Sequence, residues 1–367
     1  MSELRHDWTK EEILEIYNRP LLDLVYEAAT IHRQFHNPNE VQVSTLLSIK
    51  TGGCPEDCAY CPQAARYHTD IDTNDLMSVE QVKAQALRAK SSGSSRVCMG
   101  AAWRNVEDGP EFDQVLDMVR TINSLDMEVC CTLGMLTENQ AQRLAEAGLY
   151  AYNHNLDSSE EYYKEIISTR GWEDRLETLK NVRKTNVTVC SGGIIGMGEA
   201  IEDRAGMLVA LSSLSPHPES VPINALVSVE GTPLEEQEVV PIWDMIRMVA
   251  TTRIVLPSTT VRLSAGRTEM SKEGQAFCFL AGAGSIFAGD KLLTTPNPDV
   301  NEDMELFKIL GINPMKPYAK GTKPTPLSPD AMTEAEGEKA KWSRPGHRID
   351  KNVEATKKAN KKRKEAI

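Results

Sequence analysis

The sequence predicts an α/β protein whose main body is a (β/α)8 TIM-type barrel, with a helical extension before it and a disordered basic tail after it. Three observations carry that prediction. From about residue 40, eight short β-branched runs alternate with amphipathic, Ala/Leu-rich segments. Several of those segments end in Gly or Asn, the residues found just past a helix C-terminus. The 367 residues suffice for a barrel of about 250 residues plus extensions.

Taken in order, residues 1–39 form the N-terminal extension. Within "WTKEEILEIYNRPLLDLVYEAATIHRQF" apolar residues recur at helical spacing and Thr9 stands as an N-cap. Residues 40–314 form the barrel, with strands expected at 41–49, 95–102, 127–134, 149–156, 187–195, 220–229, 260–266 and 284–290. Helical patterns such as "VEQVKAQALRAKSS", "EFDQVLDMVRTINSL", "TENQAQRLAEAG" and "RLETLKNVRK" fall between them. Residues 315–367 hold 14 Lys/Arg against 7 Asp/Glu, so the net charge of −12 divides into +7 on the tail and −19 on the rest. An acidic body argues against nucleic-acid binding, and "KKANKKRKEAI" reads as a solvated, disordered end. No apolar run approaches the roughly 20 residues needed to span a bilayer, and the N-terminus has no secretory h-region. Eight cysteines in such a chain predict a cytoplasmic protein with reduced thiols that serve metal or redox chemistry.

The densest chemical signal is "KTGGCPEDCAYCPQAAR" just after the first strand, with Cys54-x3-Cys58-x2-Cys61 in a loop flanked by Gly and Pro. One reading is a zinc site completed by His68 or a distant ligand, although structural zinc sites are usually paired CxxC knuckles. The other is a [4Fe–4S] cluster with three protein ligands and one open iron. In a barrel this loop lies at the C-terminal face, where active sites are built.

Cys98, Cys130 and Cys190 lie within the second, third and fifth strands. Alternate strand residues of a barrel point to the lumen, so three thiols from different strands can converge there. Buried cysteines are otherwise ordinary small hydrophobes, as Cys278 in "AFCFLAG" is expected to be. Only one of the adjacent Cys130 and Cys131 faces inward. Arg262, after a β-branched run in the seventh strand, calls either for an anion opposite it or for a surface position. "AYNHNLD" collects Asn153, His154, Asn155 and Asp157 at the end of the fourth strand, a polar group suited to amides, hydroxyls or a ribose. "CSGGIIGMGE" after the fifth strand fits close backbone approach to a small ligand.

These motifs resemble one family. Cys54, Cys58 and Cys61, with Tyr60 before the last, look like the radical S-adenosylmethionine signature. From about residue 8 to 314 the chain more specifically resembles the biotin synthase family, through "VSTLLSIKTGGCPEDCAYCPQ", "CMGAAW", "YNHNLD", "CSGGIIGMGE", "VPINALV", "VRLSAGR" and "LLTTPNP" in that order. The resemblance implies that Cys54, Cys58 and Cys61 bind a [4Fe–4S] cluster whose fourth iron chelates S-adenosylmethionine. Cleavage of that cosubstrate yields a 5′-deoxyadenosyl radical able to take hydrogen from unactivated carbon. The implied substrate is dethiobiotin, which loses hydrogen at two carbons and gains a bridging sulfur, with a [2Fe–2S] cluster as the proposed donor. Cys98, Cys130, Cys190 and Arg262 fall on that cluster's ligand positions, and "CTLG" sets the third-strand ligand at Cys130. By the same carry-over Asn155 and Asp157 hold the ribose, Arg175 meets the methionine carboxylate and Tyr60 lies near the adenine. Asn153, Asn155 and Asn224 bind the ureido ring, with Thr294 and Thr295 near the substrate carboxylate. A homodimer and a flavodoxin-type electron donor are further implications.

Two other classes set the contrast. Another radical enzyme on the same scaffold, such as a hydrogenase-cofactor maturase or a methylornithine-type mutase, would share the first cysteine loop without needing the Cys98/Cys130/Cys190/Arg262 set. An iron–sulfur electron carrier would be expected to close its cluster with a fourth nearby cysteine, and a zinc scaffold needs no arginine in the lumen.

Overall fold

Thr9 caps the first helix, α1 (Lys10–Tyr17), through a capping box: its hydroxyl accepts from the Glu12 amide at 3.2 Å and the Glu12 carboxylate accepts from the Thr9 amide at 2.9 Å. Pro20 cannot continue that helix and instead sits at the N-cap of α2 (Leu21–Phe35), so the apolar pattern of the extension is divided between two helices. The computed structural model describes residues 4–289 and 291–317, all of which belong to one compact unit, Met1–Pro329. The tail expected to be disordered lies, from residue 318 onward, outside the described residues.

The strands are β1 (Glu40–Lys50), β2 (Arg96–Ala101), β3 (Glu128–Thr132), β4 (Ala151–Asn153), β5 (Thr188–Cys190), β6 (Gly193–Ile195), β7 (Ser220–Ala225), β8 (Thr260–Leu263), β9 (Ala283–Ala288) and the short β10 (Asn313–Pro314). Every pairing between them is parallel, and β9 pairs back onto β1 (Gln42 with Ser285, Thr45 with Ala288), which closes the barrel. β5 and β6 are two halves of one stave, parted at Ser191 and Gly192, so the barrel has eight staves among the described residues. Parallel neighbours require crossovers, and helices supply them. They are α3 (Val79–Ser91), α4 (Pro110–Ser124), α5 (Glu138–Glu146), α6 (Glu160–Ile166), α7 (Trp172–Arg183), α8 (Ile201–Ser213), α9 (Ile242–Val255) and α10 (Lys272–Leu280), with α11 (Val300–Leu310) after the last stave. α1 packs on α8 and α9, and α2 on α9.

The buried side chains fall into two groups, as period-2 alternation demands. Val97, Met99, Val129 and Cys131 join the large core between strands and helices. Cys98, Cys130, Ala151, Phe287 and Leu292 form a separate cluster. The strands fall short of their sequence-based lengths mainly at their C-terminal ends: β4 stops at Asn153, β7 at Ala225 and β8 at Leu263. There the chain leaves the ladder and its polar side chains turn toward the mouth of the barrel.

Candidate active site

The loop after β1 is folded onto itself. The Cys54 amide donates to the Gln63 carbonyl at 3.0 Å, Ala65 donates to the Cys54 carbonyl at 2.8 Å and Cys61 to the Cys58 carbonyl at 2.9 Å. Gly52 (φ 76°) and Gly53 (φ 71°) make the turn into it in the left-handed region. Asp57 ties the loop to the α6–α7 connection by accepting from the amides of Ser168 at 2.9 Å and Thr169 at 3.1 Å. Burial pushes the thiols of Cys58 and Cys61 up, to about 11 and about 12. Thiols held up in this way would be thiolates at neutral pH only with a metal in place of their protons. Among the described residues, no three His, Cys, Asp or Glu are gathered tightly enough to hold one metal ion, and His68 is exposed. A single zinc needs all its donors within about 2.0–2.3 Å of one centre, whereas a cluster takes each thiolate on a different iron. Three thiols on one loop fit such a cluster.

The second set of thiols lies deeper. Cys98 and Cys130 are register partners across β2 and β3, and Cys190 pairs with Asn153 across β4 and β5. The alternation that turns Cys130 into the lumen turns Cys131 outward into the main core, where Cys278 also sits. A hydrogen bond from Cys130 draws the Cys98 thiol down against the cost of burial, with Arg262 and Arg96 adding to the effect. Arg262 is 1% exposed. Its Nε donates to Ser285 Oγ at 2.9 Å, its Nη2 to Gln42 Oε1 at 3.2 Å, and its guanidinium lies 4.6 Å over the Phe287 ring. These partners are neutral. A buried cation beside thiols from neighbouring strands fits an anionic sulfur cluster.

Both sets open on one cavity of about 260 Å³. Its wall includes Tyr60, Cys61, Cys98, Cys130, Asn153, Asn155, Asp157, Asn224, Arg262, Thr294 and Thr295. Cys54, Cys58, Cys190 and Arg175 are not part of that wall. Asn153 Nδ2 donates to Thr132 Oγ1 at 3.1 Å while its Oδ1 is buried without a partner. Asn224 joins two strand ends, donating to the Gly193 carbonyl at 2.9 Å and accepting from the Ala265 amide at 3.2 Å. Asn155 accepts from the Gly192 amide at 3.2 Å. Asp157 has φ 68°, an unusual backbone for a non-glycine residue and one that functional sites often hold. Its carboxylate accepts from the Tyr60 hydroxyl at 2.8 Å and pairs with Arg175, whose Nε also donates to Tyr163 Oη at 3.0 Å.

Two features escaped the sequence. Arg170, buried against the cysteine loop, and Glu56, buried within it, carried no signal of their pairing; the acidic pair inside "CPEDC" was the one available hint of a cation nearby. In the Gly-rich stretch after β5 two glycines are required by the fold itself. A Cβ on Gly192 would lie 2.0 Å from the Pro222 carbonyl oxygen, and one on Gly193 2.5 Å from that of Asp157. At these two glycines the chain approaches its own backbone, which pinches the fifth stave.

The chain matches the Radical SAM superfamily over residues 48–210 and the Biotin and Thiamin Synthesis associated domain over 222–313. It is 78% identical to a biotin synthase of Flavobacterium psychrophilum, across 96% of this chain and 98% of that one. It is 77% identical to a biotin synthase of Christiangramia forsetii, across 98% and 99%. The chain belongs to the biotin synthase family. As a member of the biotin synthase family it is an enzyme of the sulfurtransferase class, whose cofactors are a [4Fe–4S] cluster, a [2Fe–2S] cluster and S-adenosylmethionine. Among solved structures it resembles a methylornithine synthase, with a TM-score of 0.70 and 17% identity, covering 85% of this chain and 94% of that one. It also resembles an FeFe-hydrogenase maturase from Carboxydothermus hydrogenoformans, with a TM-score of 0.70 and 16% identity, covering 84% and 76%. At such identities these two likenesses show the barrel alone. Biotin synthase relatives, and not the fold, separate this chain from other radical enzymes.

Proposed function

We propose that residues 40–314 form the catalytic barrel and that it converts dethiobiotin to biotin. The reading is carried by one observation: Cys61 and the Cys98/Cys130/Arg262 group border the same cavity. Cys54, Cys58 and Cys61 hold the [4Fe–4S] cluster with one iron left for S-adenosylmethionine, and Cys98, Cys130, Cys190 and Arg262 hold the [2Fe–2S] cluster. Bound together, the first cluster and S-adenosylmethionine supply a 5′-deoxyadenosyl radical and the second cluster supplies sulfur.

The chain's own residues bind, orient and shield. Asn155 and Asp157 take the ribose, and the hydrogen bond from Tyr60 to Asp157 fixes the phenol beside the adenine. Arg175 spends Nη2 on Asp157 and Nε on Tyr163, which leaves guanidinium donors for the methionine carboxylate. The unpartnered Oδ1 of Asn153 accepts from the ureido N–H of the substrate, helped by Asn155 and by the remaining N–H of Asn224. Thr294 and Thr295 take the substrate carboxylate. Leu46, Ile194, Leu226, Phe287 and Leu292 line the rest and exclude water from a reactive radical.

The enzyme works in the cytoplasm as a homodimer, with the N-terminal helices as one contact, and takes electrons from a flavodoxin-type donor. No helix among the described residues is long and apolar enough to cross a membrane. The test is anaerobic reconstitution followed by a product assay. One [4Fe–4S] and one [2Fe–2S] cluster per chain, with biotin formed from dethiobiotin, S-adenosylmethionine and a low-potential reductant, is the expected result. Bound zinc alone, or no deoxyadenosine released with dethiobiotin, overturns the reading.

A further inference from the structure

Arg170 lies against the first cysteine loop and is not part of the cavity wall. Its side chain is 7% exposed and its Nη2 lies 3.9 Å from Cys58 Sγ in donor geometry. Its Nε is buried without a partner. The carboxylate facing it, Glu56, is 3% exposed and holds its Oε1 3.9 Å from Arg170 Nη1, with Arg104 Nε 3.4 Å from the same oxygen. That oxygen makes no hydrogen bond, while Glu56 Oε2 accepts from the Thr169 hydroxyl. A buried guanidinium thus sits at long range from its counter-ion and directs a donor at a sulfur. Burying a charge in that way is costly unless a further anion completes the arrangement.

We propose that Arg170 is a positioning residue for electron entry: acting through Cys58, it sets the reduction potential of the [4Fe–4S] cluster, and Glu56 limits its effect. The proposal rests on the reading of Cys58 as a cluster ligand. Hydrogen bonds to cluster sulfurs and nearby net charge are what tune such potentials. Reduction adds one negative charge to the cluster. A cation and N–H donor at Cys58 favours that added charge, and a carboxylate behind the cation opposes it. Removing Arg170 therefore makes the cluster harder to reduce, and neutralising Glu56 makes it easier. A role confined to holding the loop together would not produce opposite signs from two residues in contact.

The experiment is a spectroelectrochemical titration of the anaerobically reconstituted full chain without S-adenosylmethionine, on wild type, Arg170→Gln, Arg170→Lys and Glu56→Gln. Iron content and the visible spectrum report cluster occupancy separately. Arg170→Gln is expected to lower the midpoint by at least a tenfold loss in the one-electron equilibrium, about 59 mV. Arg170→Lys should recover part of that loss, and Glu56→Gln should shift the midpoint the other way. If Arg170→Gln fails to hold a cluster, the test rests on Arg170→Lys lowering the midpoint and Glu56→Gln raising it. Unchanged midpoints in fully loaded variants overturn the proposal. A wild-type chain without a [4Fe–4S] spectrum, or a Cys58→Ala variant that keeps one, overturns instead the ligand reading beneath it.

Discussion

The Tyr60 hydroxyl donates to Asp157 Oδ2 at 2.8 Å, joining two residues 97 positions apart in sequence. One belongs to the cysteine loop after β1 and the other to the rim after β4. Arg175 on α7 completes the triad by donating to the same carboxylate oxygen. Loop, rim and helix thus meet on one buried carboxylate that borders the cavity.

Tyr60→Phe removes only the donor at one corner of that triad. A hydrogen bond to a charged group contributes about 1.5–3 kcal/mol. The variant should keep a full [4Fe–4S] spectrum and bind S-adenosylmethionine roughly tenfold more weakly, about 1.4 kcal/mol, by equilibrium dialysis. Unaltered affinity would show that the phenol is not oriented through Asp157.

Cys130→Ala and Cys131→Ala separate lumen from core. The first should lose the [2Fe–2S] absorption and keep the [4Fe–4S] signal. The second should keep both and lose about 1 kcal/mol of stability through lost packing, read from denaturant midpoints. The reverse pattern in the spectra would mean that the strand register is wrong by one residue.

Gly192→Ala tests the pinch in the fifth stave. Its new Cβ would meet backbone at 2.0 Å, which no rotamer relieves. A loss of about 3 kcal/mol or more is expected, seen as a lowered melting temperature or insoluble protein. Gly284→Ala is the control, since its nearest neighbours lie at 3.9 Å, and it should change stability by less than about 1 kcal/mol.

Acid should weaken the fold through its buried histidines. His217 is drawn down to about 4 by burial and then by His6, whose ring centroid is 4.2 Å away, with Arg183 adding to the effect. An unfolded histidine titrates near 6.5. Between those values the unfolded chain binds more protons, so this contribution is complete above about pH 6.5 and is lost as pH falls toward 4. Burial also pushes His32, His36 and His154 below the ordinary value, in the same direction. Urea midpoints should fall from pH 7 to pH 4.5, less steeply in His217→Gln. Equal slopes for the two proteins would exclude His217 as a contributor.

Local spacing was legible in the chain because local rules govern it. Thr9 with Glu12 makes a capping box within four residues, and alternating strand and helix patterns are properties of short windows. Cys54, Cys58 and Cys61 lie in one loop, so their grouping needs no tertiary information. The demand for glycine at position 192 was not legible because a glycine's neighbour across a barrel is invisible in sequence, and Pro222 is 30 residues from Gly192. Arg170 and Glu56 were missed for the same reason: Glu56 lies in the loop after β1 and Arg170 between α6 and α7.

By itself, the sequence determined the barrel, the family and the composition of both thiol sets. Only the tertiary structure decided that Arg262 has neutral partners and that Asp157 is shared by Tyr60 and Arg175. The division has one physical cause. Periodicity and spacing are written along the chain, whereas which side chains share a point in space depends on register and barrel closure, and closure pairs β1 with β9 from opposite ends of the domain.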